Sequence, residues 1–353
     1  MKITAFTLLI STGFILVVTK GYPQHKTASG STYTEEELIF ISENDSIYGK
    51  LILPGGNAEN GFPLIVFVHG SGPEDYSSSG NYNYLWEQFT KAGFACFSWD
   101  RPGVGLSTGS WYKRSMADRA DEVFRAIEAL GAHKDIDPAR IGLWGISQAG
   151  WVIPIVAEQY HPAFVICVSC PVTTAYEQET YRLRSELAAE GYNHDDIEGA
   201  IAYTASVRDL ILAGGSFEDF NSLQKEVDQY EWSSFVISGG EVVFNYLKVI
   251  FNNDHAPSLD SLSSPLLAIW GENDLLVPPR ASAEKYQKVM QAINNQSVRI
   301  EIINDADHTL TYNNSGKRAE TNQRRESFRE DPAKIFAPGY LDSMLNWLRE
   351  FSD

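Results

Sequence analysis

The stretch GISQAG, residues 145–150, holds a side chain whose setting suits covalent chemistry. Ser147 lies between an apolar run, IGLWG from Ile141, and a mostly apolar segment, WVIPIVAEQY. The run reads as a buried strand and the segment as a helix, so Ser147 falls on the turn between them. Gly145 and Ala149 are small enough to let the backbone bend sharply there and leave the hydroxyl clear of both elements. A serine hydroxyl is a weak nucleophile at its own pKa. It needs a base within hydrogen-bond reach, an acid behind that base, and donors for the oxyanion that forms on attack. A plain tight turn gives the same short pattern, so the other parts have to be found elsewhere in the chain.

Three stretches offer them. His69-Gly70-Ser71-Gly72 ends the apolar run LIVFV, and its glycines free the backbone to turn an amide toward a neighbouring site. Ser71 N–H is therefore one candidate oxyanion donor, and Gln148 N–H, at the start of the helix after the nucleophile, is the other, aided by the helix dipole. An ordinary strand exit is the competing reading of HGSG, and His69 itself is read as structural. Asp274 lies a few residues past the strand LLAIW, and His308 lies in the loop after the strand SVRIEII. Asp100 and Arg101 also follow a strand, but the glycines after them indicate loop bracing. His25 falls in the leader, and His133, His161, His194 and His255 have no strand-end setting.

The elements that must position these groups follow from periodicity. ELIFIS and IYGKLILP flank the Asn44-Asp45 turn as an antiparallel hairpin. Buried strands then alternate with helices: LIVFV, a helix over 82–92, FACFSWD, an amphipathic helix with Val123, Ile127 and Leu130 facing inward, IGLWG, and FVICVS. After a break come LLAIW, a helix over 279–293, SVRIEII, and a closing amphipathic helix in FAPGYLDSMLNWLREF. The order predicts an α/β fold: a mostly parallel, doubly wound, twisted sheet with an antiparallel edge and helices on both faces. Right-handed crossovers place every strand's C-terminal end on one rim, where Ser147, Asp274 and His308 would meet. Residues 172–262 interrupt the rhythm with polar, helically spaced stretches and are expected to form an inserted helical lid. Its aromatics Tyr176, Tyr181, Tyr203, Phe235, Phe244 and Tyr246 either line an acyl pocket or form the core of the lid. The expected organisation is an export signal or anchor over 1–21, a flexible leader over 22–34, a core domain over 35–171 and 263–353, and the lid over 172–262.

Composition narrows the partners. The formal charge is -18, and no Lys/Arg cluster stands out, which opposes nucleic acid or an anionic membrane. The apolar run from Ile3 to Val18 after one early lysine looks like an export signal, with Thr19 and Gly21 as a small-x-small pair. The exported protein would be periplasmic or secreted, or held on a membrane if the segment stays uncleaved. Cys96, Cys167 and Cys170 sit in apolar runs and read as buried thiols. The CVSC spacing mimics a redox motif, but residues three apart on a strand face opposite ways. No metal cluster is read at ligand spacing, and no cofactor is expected.

The order Ser147, Asp274, His308, each just past a strand end, resembles the α/β-hydrolase superfamily over about Glu37 to Phe351. The resemblance implies a serine that attacks an acyl carbon, a histidine base and an aspartate that orients the imidazolium. HGSG matches the oxyanion position, and DRPGVGLSTG resembles the Asp-Arg-Gly-rich loop of esterase and peptidase-like branches. Glu272 rivals Asp274 as the acid, and the family's Gly-x-x-Asp pattern from Gly271 favours Asp274. Asp305 and Asp307 read as turn-formers. Ala149 in place of the second elbow glycine leans toward acyl-peptidase and deacetylase-type esterases. The implied function is hydrolysis of small to medium acyl esters or thioesters through an acyl-enzyme on Ser147. The alternatives are a serine peptidase for short peptides and a catalytically inactive binding module.

Overall fold

The computed structural model describes residues 32–352 and, before them, only the backbone at 17–19 and 25–26. The export-signal reading of residues 1–21 therefore lies outside the described residues, apart from Val17–Thr19, which pair antiparallel with the first long strand. Thr32–Thr34, expected in the flexible leader, belong to that strand, β1, which spans Thr32–Ser42, and His25–Lys26 pair antiparallel with it.

Seven further strands follow: β2 Asp45–Pro54, β3 Phe62–Val68, β4 Ala95–Trp99, β5 Ile136–Ile146, β6 Val165–Val168, β7 Leu266–Gly271 and β8 Val298–Ile303. They lie side by side in the order β1-β2-β4-β3-β5-β6-β7-β8. β1 and β2 form the expected hairpin, with Ser42 opposite Asp45, and β2 pairs antiparallel with β4. From β4 onward every pairing is parallel.

Side chains alternate across a strand, so each central strand feeds two cores. One face of the sheet sends Leu64, Val66, Leu143, Cys167 and Trp270 against helices α2 (Met116–Gly131), α3 (Ala149–Ala157) and α8 (Pro279–Ala292). Val123, Ile127 and Leu130 of α2 are buried there as predicted. The opposite face sends Ile65, Phe67, Trp144, Ile166 and Ile269 against α1 (Asn83–Lys91) and α10 (Tyr340–Leu348). Burial on both sides explains why these strands read as continuous apolar runs.

Between β6 and β7 the chain forms four helices: α4 Ala175–Glu190, α5 His194–Leu212, α6 Phe217–Val227 and α7 Glu241–Asn252. They enclose a core of their own around Leu183, Tyr203, Phe220, Trp232 and Phe244. The chain rejoins the main core at Leu259 and Leu262. No helix among the described residues is long and apolar enough to cross a membrane. The polar helix α9, Arg318–Ser327, buries no side chain and gave no periodic signal in the sequence.

Candidate active site

Ser147 carries a φ of 55°, a left-handed conformation that a non-glycine residue adopts at a free-energy cost. Its N–H donates to Val168 O at 2.9 Å and its carbonyl accepts from Gly150 N–H at 2.8 Å, so the strained residue is pinned between β6 and the first turn of α3. Gly145 serves a different need from the one its place in the elbow suggests. A Cβ there would stand 2.6 Å from both Ala149 Cβ and Ile153 Cδ1, so glycine lets α3 press against β5. Ala149 fills the other side of that contact and is fully buried.

The loops after β7 and β8 bring Asp274 and His308 together, with His308 Nδ1 2.9 Å from Asp274 Oδ2. The other Asp274 oxygen accepts from Leu276 N–H and Val277 N–H at 2.8 and 2.9 Å. The carboxylate is only 2% exposed and is fully committed. The Gly-x-x-Asp pattern has a physical basis here: a Cβ on Gly271 would lie 2.2 Å from Asp307 O, so only glycine lets the two loops touch. The neighbouring Asn273 N–H donates to Ala306 O and seals that contact. Burial opposes the His308 imidazolium, but the charge and hydrogen bond of Asp274, with Asp307 and Glu186 behind, outweigh it and raise the ring's pKa above 6.5. The rival Glu272 points outward to Arg280 at 3.1 Å. Asp307 is a turn-former: it accepts from Thr309 N–H, Thr311 N–H and the Thr321 hydroxyl.

Ser147 and His308 line one cavity of about 990 Å³ together with Gly70 and Ser71. Among the described residues no hydrogen bond joins the Ser147 hydroxyl to the His308 ring, and the ring's Nε2 is without a partner. Neither Ser71 N–H nor Gln148 N–H donates to a protein acceptor among the described hydrogen bonds. Asp100 and Arg101 brace, as expected. Asp100 accepts from Tyr76 N–H and Leu106 N–H, and Arg101 donates to Gly72 O at 2.6 Å. His69 is buried between Trp99 O and the Tyr82 hydroxyl, and burial drives its pKa down to about 3, so it stays neutral.

One residue of this site is absent from the sequence reading. Arg119 is buried on α2 and donates to Gln148 Oε1 at 2.5 Å, to His69 O at 2.5 Å and to Gly70 O at 3.2 Å. The Gly70 carbonyl and the Ser71 N–H belong to one planar peptide, so holding the oxygen fixes the direction of the amide hydrogen. Arg119 thus ties the loop after β3 to the Ser147 turn and fixes the direction of one of its amides. The signal was readable: Arg119 stands four residues before Val123, a charge on an apolar stripe. Gln148 is engaged at its other end by the Tyr246 hydroxyl at 2.8 Å, so its side chain is committed to the framework rather than to substrate.

The helical insertion does not wall this cavity. Tyr203 and Phe244 are buried in its own core, with Tyr176, Phe235 and Tyr246 packed against it. Its reach toward the site is through braces: Tyr181 donates to Asp274 O, and Gln178 donates to Leu276 O. The walls come instead from residues 78–85 and from α9 with the segment after it, including Arg325, Ile335 and Phe336. These were missed because a polar helix leaves no apolar period to read.

Two other clusters differ from expectation. Cys167 and Cys170 share one core rather than opposite faces, because the strand ends at Val168 and Ser169 turns left-handed at φ 48°. All three thiols are free and buried, and burial holds Cys96 and Cys170 well above the usual thiol range. Glu36, His133 and Asp135 bring their ligand atoms within 4.8 Å, a grouping that linear spacing cannot show. Its members are already engaged: His133 with Glu36 at 3.2 Å, and Asp135 with Lys134 at 2.7 Å.

The sheet order, the strand-to-helix turn at Ser147 and the Asp274–His308 pair are those of an α/β-hydrolase. The model of the family described as serine aminopeptidase, S33, matches residues 62–315, and the chain belongs to that family of hydrolases. Among similar proteins is a bifunctional esterase/perhydrolase of Acinetobacter calcoaceticus, 24% identical over 233 residues, which are 65% of this chain and 80% of the relative. Esterase EstD of Thermotoga maritima is 23% identical over 291 residues, 78% of this chain and 60% of that protein. Among solved structures, an esterase of Pyrococcus furiosus has a TM-score of 0.53 at 15% identity, covering 91% of this chain and 92% of its own. A proline iminopeptidase of Mycobacterium smegmatis has a TM-score of 0.54 at 14% identity, covering 90% and 98%. At those identities the likeness is one of fold.

Proposed function

We propose that this chain cleaves carboxylic esters and thioesters of small to medium acyl groups through an acyl-enzyme on Ser147. The observation that carries the reading is the convergence on one cavity of Ser147, the Asp274-bound ring of His308, and the loop holding Ser71. In this mechanism Ser147 Oγ closes on the acyl carbon while His308 Nε2 takes its proton. A longer serine–histidine separation before substrate binds is ordinary for such sites. Ser71 N–H and Gln148 N–H donate to the developing oxyanion, and Asp274 stabilises the imidazolium. Collapse expels the alcohol or thiol with the proton from His308. Water, activated by the same ring, then releases the acid and restores Ser147.

A fluorophosphonate probe tests this directly. Ser147 is expected to label, Ser147→Ala to lose the label and His308→Ala to reduce it strongly. An unlabelled folded protein would leave the binding-module reading standing. The family's description favours a second reading, a peptidase for short peptides. Turnover of p-nitrophenyl esters beside aminoacyl anilides separates the two. The apolar run Ile3–Val18 supports export as part of the proposal, and the mass of the mature N-terminus checks it.

A further inference from the structure

Arg325 lines the cavity that holds Ser147 and His308, on the face of α9 that also presents Asn322 and Glu326. It is partly buried, and no hydrogen bond or ion pair engages its guanidinium among the described residues. Among the described residues every other buried or half-buried arginine is engaged by a hydrogen bond or ion pair, and only the exposed Arg329 and Arg349 share its lack of one. Arg114 meets Glu43 and Asp45, Arg182 meets Glu179 and Glu186, and Arg318 meets Glu186. Even the adjacent Arg324 is occupied, donating to Lys334 O and lying over the rings of Tyr312 and Phe328. Burial pulls the Arg325 guanidinium below its usual range, with Asp307 as the opposing charge. A guanidinium partly withdrawn from water, with Asp307 acting on it only through space and no carboxylate in contact, is held at a cost that an incoming anion would relieve.

The position of Arg325 relative to the proposed base is fixed. One helical turn before it, Thr321 donates to Asp307, the neighbour of His308, and accepts from Asn313 Nδ2 at 3.0 Å. Asn313 also holds Lys317 O at the start of α9. The other charges around the cavity are offset or solvated. Glu74 lies in the field of Arg101, and Glu326 and Arg329 are exposed. The rest of the wall mixes apolar side chains, Leu85, Trp144, Ile146, Ile335 and Phe336, with uncharged polar ones, Ser78, Ser79, Asn81 and Asn322. The family match ends at residue 315, so α9 is a feature of this chain outside the matched region.

We propose that Arg325 is an anion-recognition residue, and that the substrates of this cavity carry a carboxylate in addition to the scissile carbonyl. The inference rests on the serine-hydrolase reading of the same cavity. The carboxylate could belong to the acyl group or to the leaving group, and Arg325 would pair with it in the same bidentate fashion.

The test compares, for each variant, kcat/KM on a carboxylate-bearing ester with that on a neutral ester of similar size. Mono-p-nitrophenyl glutarate against p-nitrophenyl butyrate probes the acyl side. 4-Acetoxybenzoate against its methyl ester probes the leaving group. Wild type is expected to favour the anionic member of one pair by about ten- to a hundredfold, the range of a charged hydrogen bond. Arg325→Gln should bring that ratio near one, and Arg325→Lys should restore part of it. Because the ratio is internal to each preparation, partial misfolding does not mimic the result. A ratio near one in wild type for both pairs, or the same ratio in wild type and Arg325→Gln, overturns the proposal. Should no ester be cleaved and Ser147 not label, the hydrolase reading fails by itself. Glutarate binding by calorimetry then decides: binding to wild type but not Arg325→Gln supports the anion site, and no binding, or equal binding, refutes it.

Discussion

Replacing Arg119 by methionine keeps the volume of the α2 stripe and removes the fork that joins three acceptors on two loops. Gln148 Oε1 and the His69 and Gly70 carbonyls would each lose a buried donor. An orphaned buried acceptor costs about 1–3 kcal/mol, so the three together come to about 3–9 kcal/mol. Part of that returns, because the variant no longer buries a charge. Burial, then the neighbouring Arg101, already pull the Arg119 guanidinium down to about 9, the direction expected of a charge held out of water. The expected net loss of stability is about 1–3 kcal/mol. The catalytic consequence is larger. With Gly70 O unheld, the peptide carrying Ser71 N–H loses its orientation; on the proposed mechanism that displaces one oxyanion donor and lowers kcat by about 10²–10³-fold. The loss should fall on kcat with little change in KM, since the oxyanion exists only in the transition state. Steady-state kinetics on p-nitrophenyl butyrate, beside circular dichroism and a denaturant titration, read both effects. Arg119→Lys should fall between, because an ammonium cannot span both loops as the planar fork does. A folded Arg119→Met with kcat within about twofold of wild type would refute the reasoning, since the aimed amide would then not depend on the clamp.

The remaining expectations concern the Asp274–His308 pair and the strained serine. If His308 is the base it must be neutral, so kcat/KM should rise with pH through an apparent pKa above 6.5. Asp274→Asn should move that limb to lower pH and cut kcat by about 10³–10⁴-fold, and an unmoved limb would show that another group titrates. The raised ring pKa makes the pairing's contribution to stability fully present below the unfolded value near 6.5 and lost as pH rises through the folded value. Asp274→Asn should therefore destabilise most near pH 5–6, as thermal unfolding across pH would show. Ser147→Gly should be inactive yet about 1 kcal/mol more stable than Ser147→Ala, because glycine accepts a φ of 55° without the Cβ clash; equal stabilities would mean the turn is not strained.

The sequence by itself determined the sheet, the two-faced core and the loop positions of Ser147, Asp274 and His308. Each rests on a local signal: doubly buried strands are apolar throughout, crossover helices carry an inward stripe, and catalytic side chains fall just past strand ends. It also held the reason for Gly271, though only the contact with Asp307 O reveals it. Tertiary structure decided what depends on elements meeting from distant parts of the chain. Arg119 became a clamp because α2 crosses beneath two loops. Cys167 and Cys170 came to share a core because Ser169 turned left-handed. Most aromatics of the insertion turned to its own core, Tyr181 excepted, and the cavity wall passed to residues 78–85 and to α9, whose polar surface has no period to betray its place. Local periodicity reports which way a side chain faces along its own element, and only the assembled fold reports what it faces.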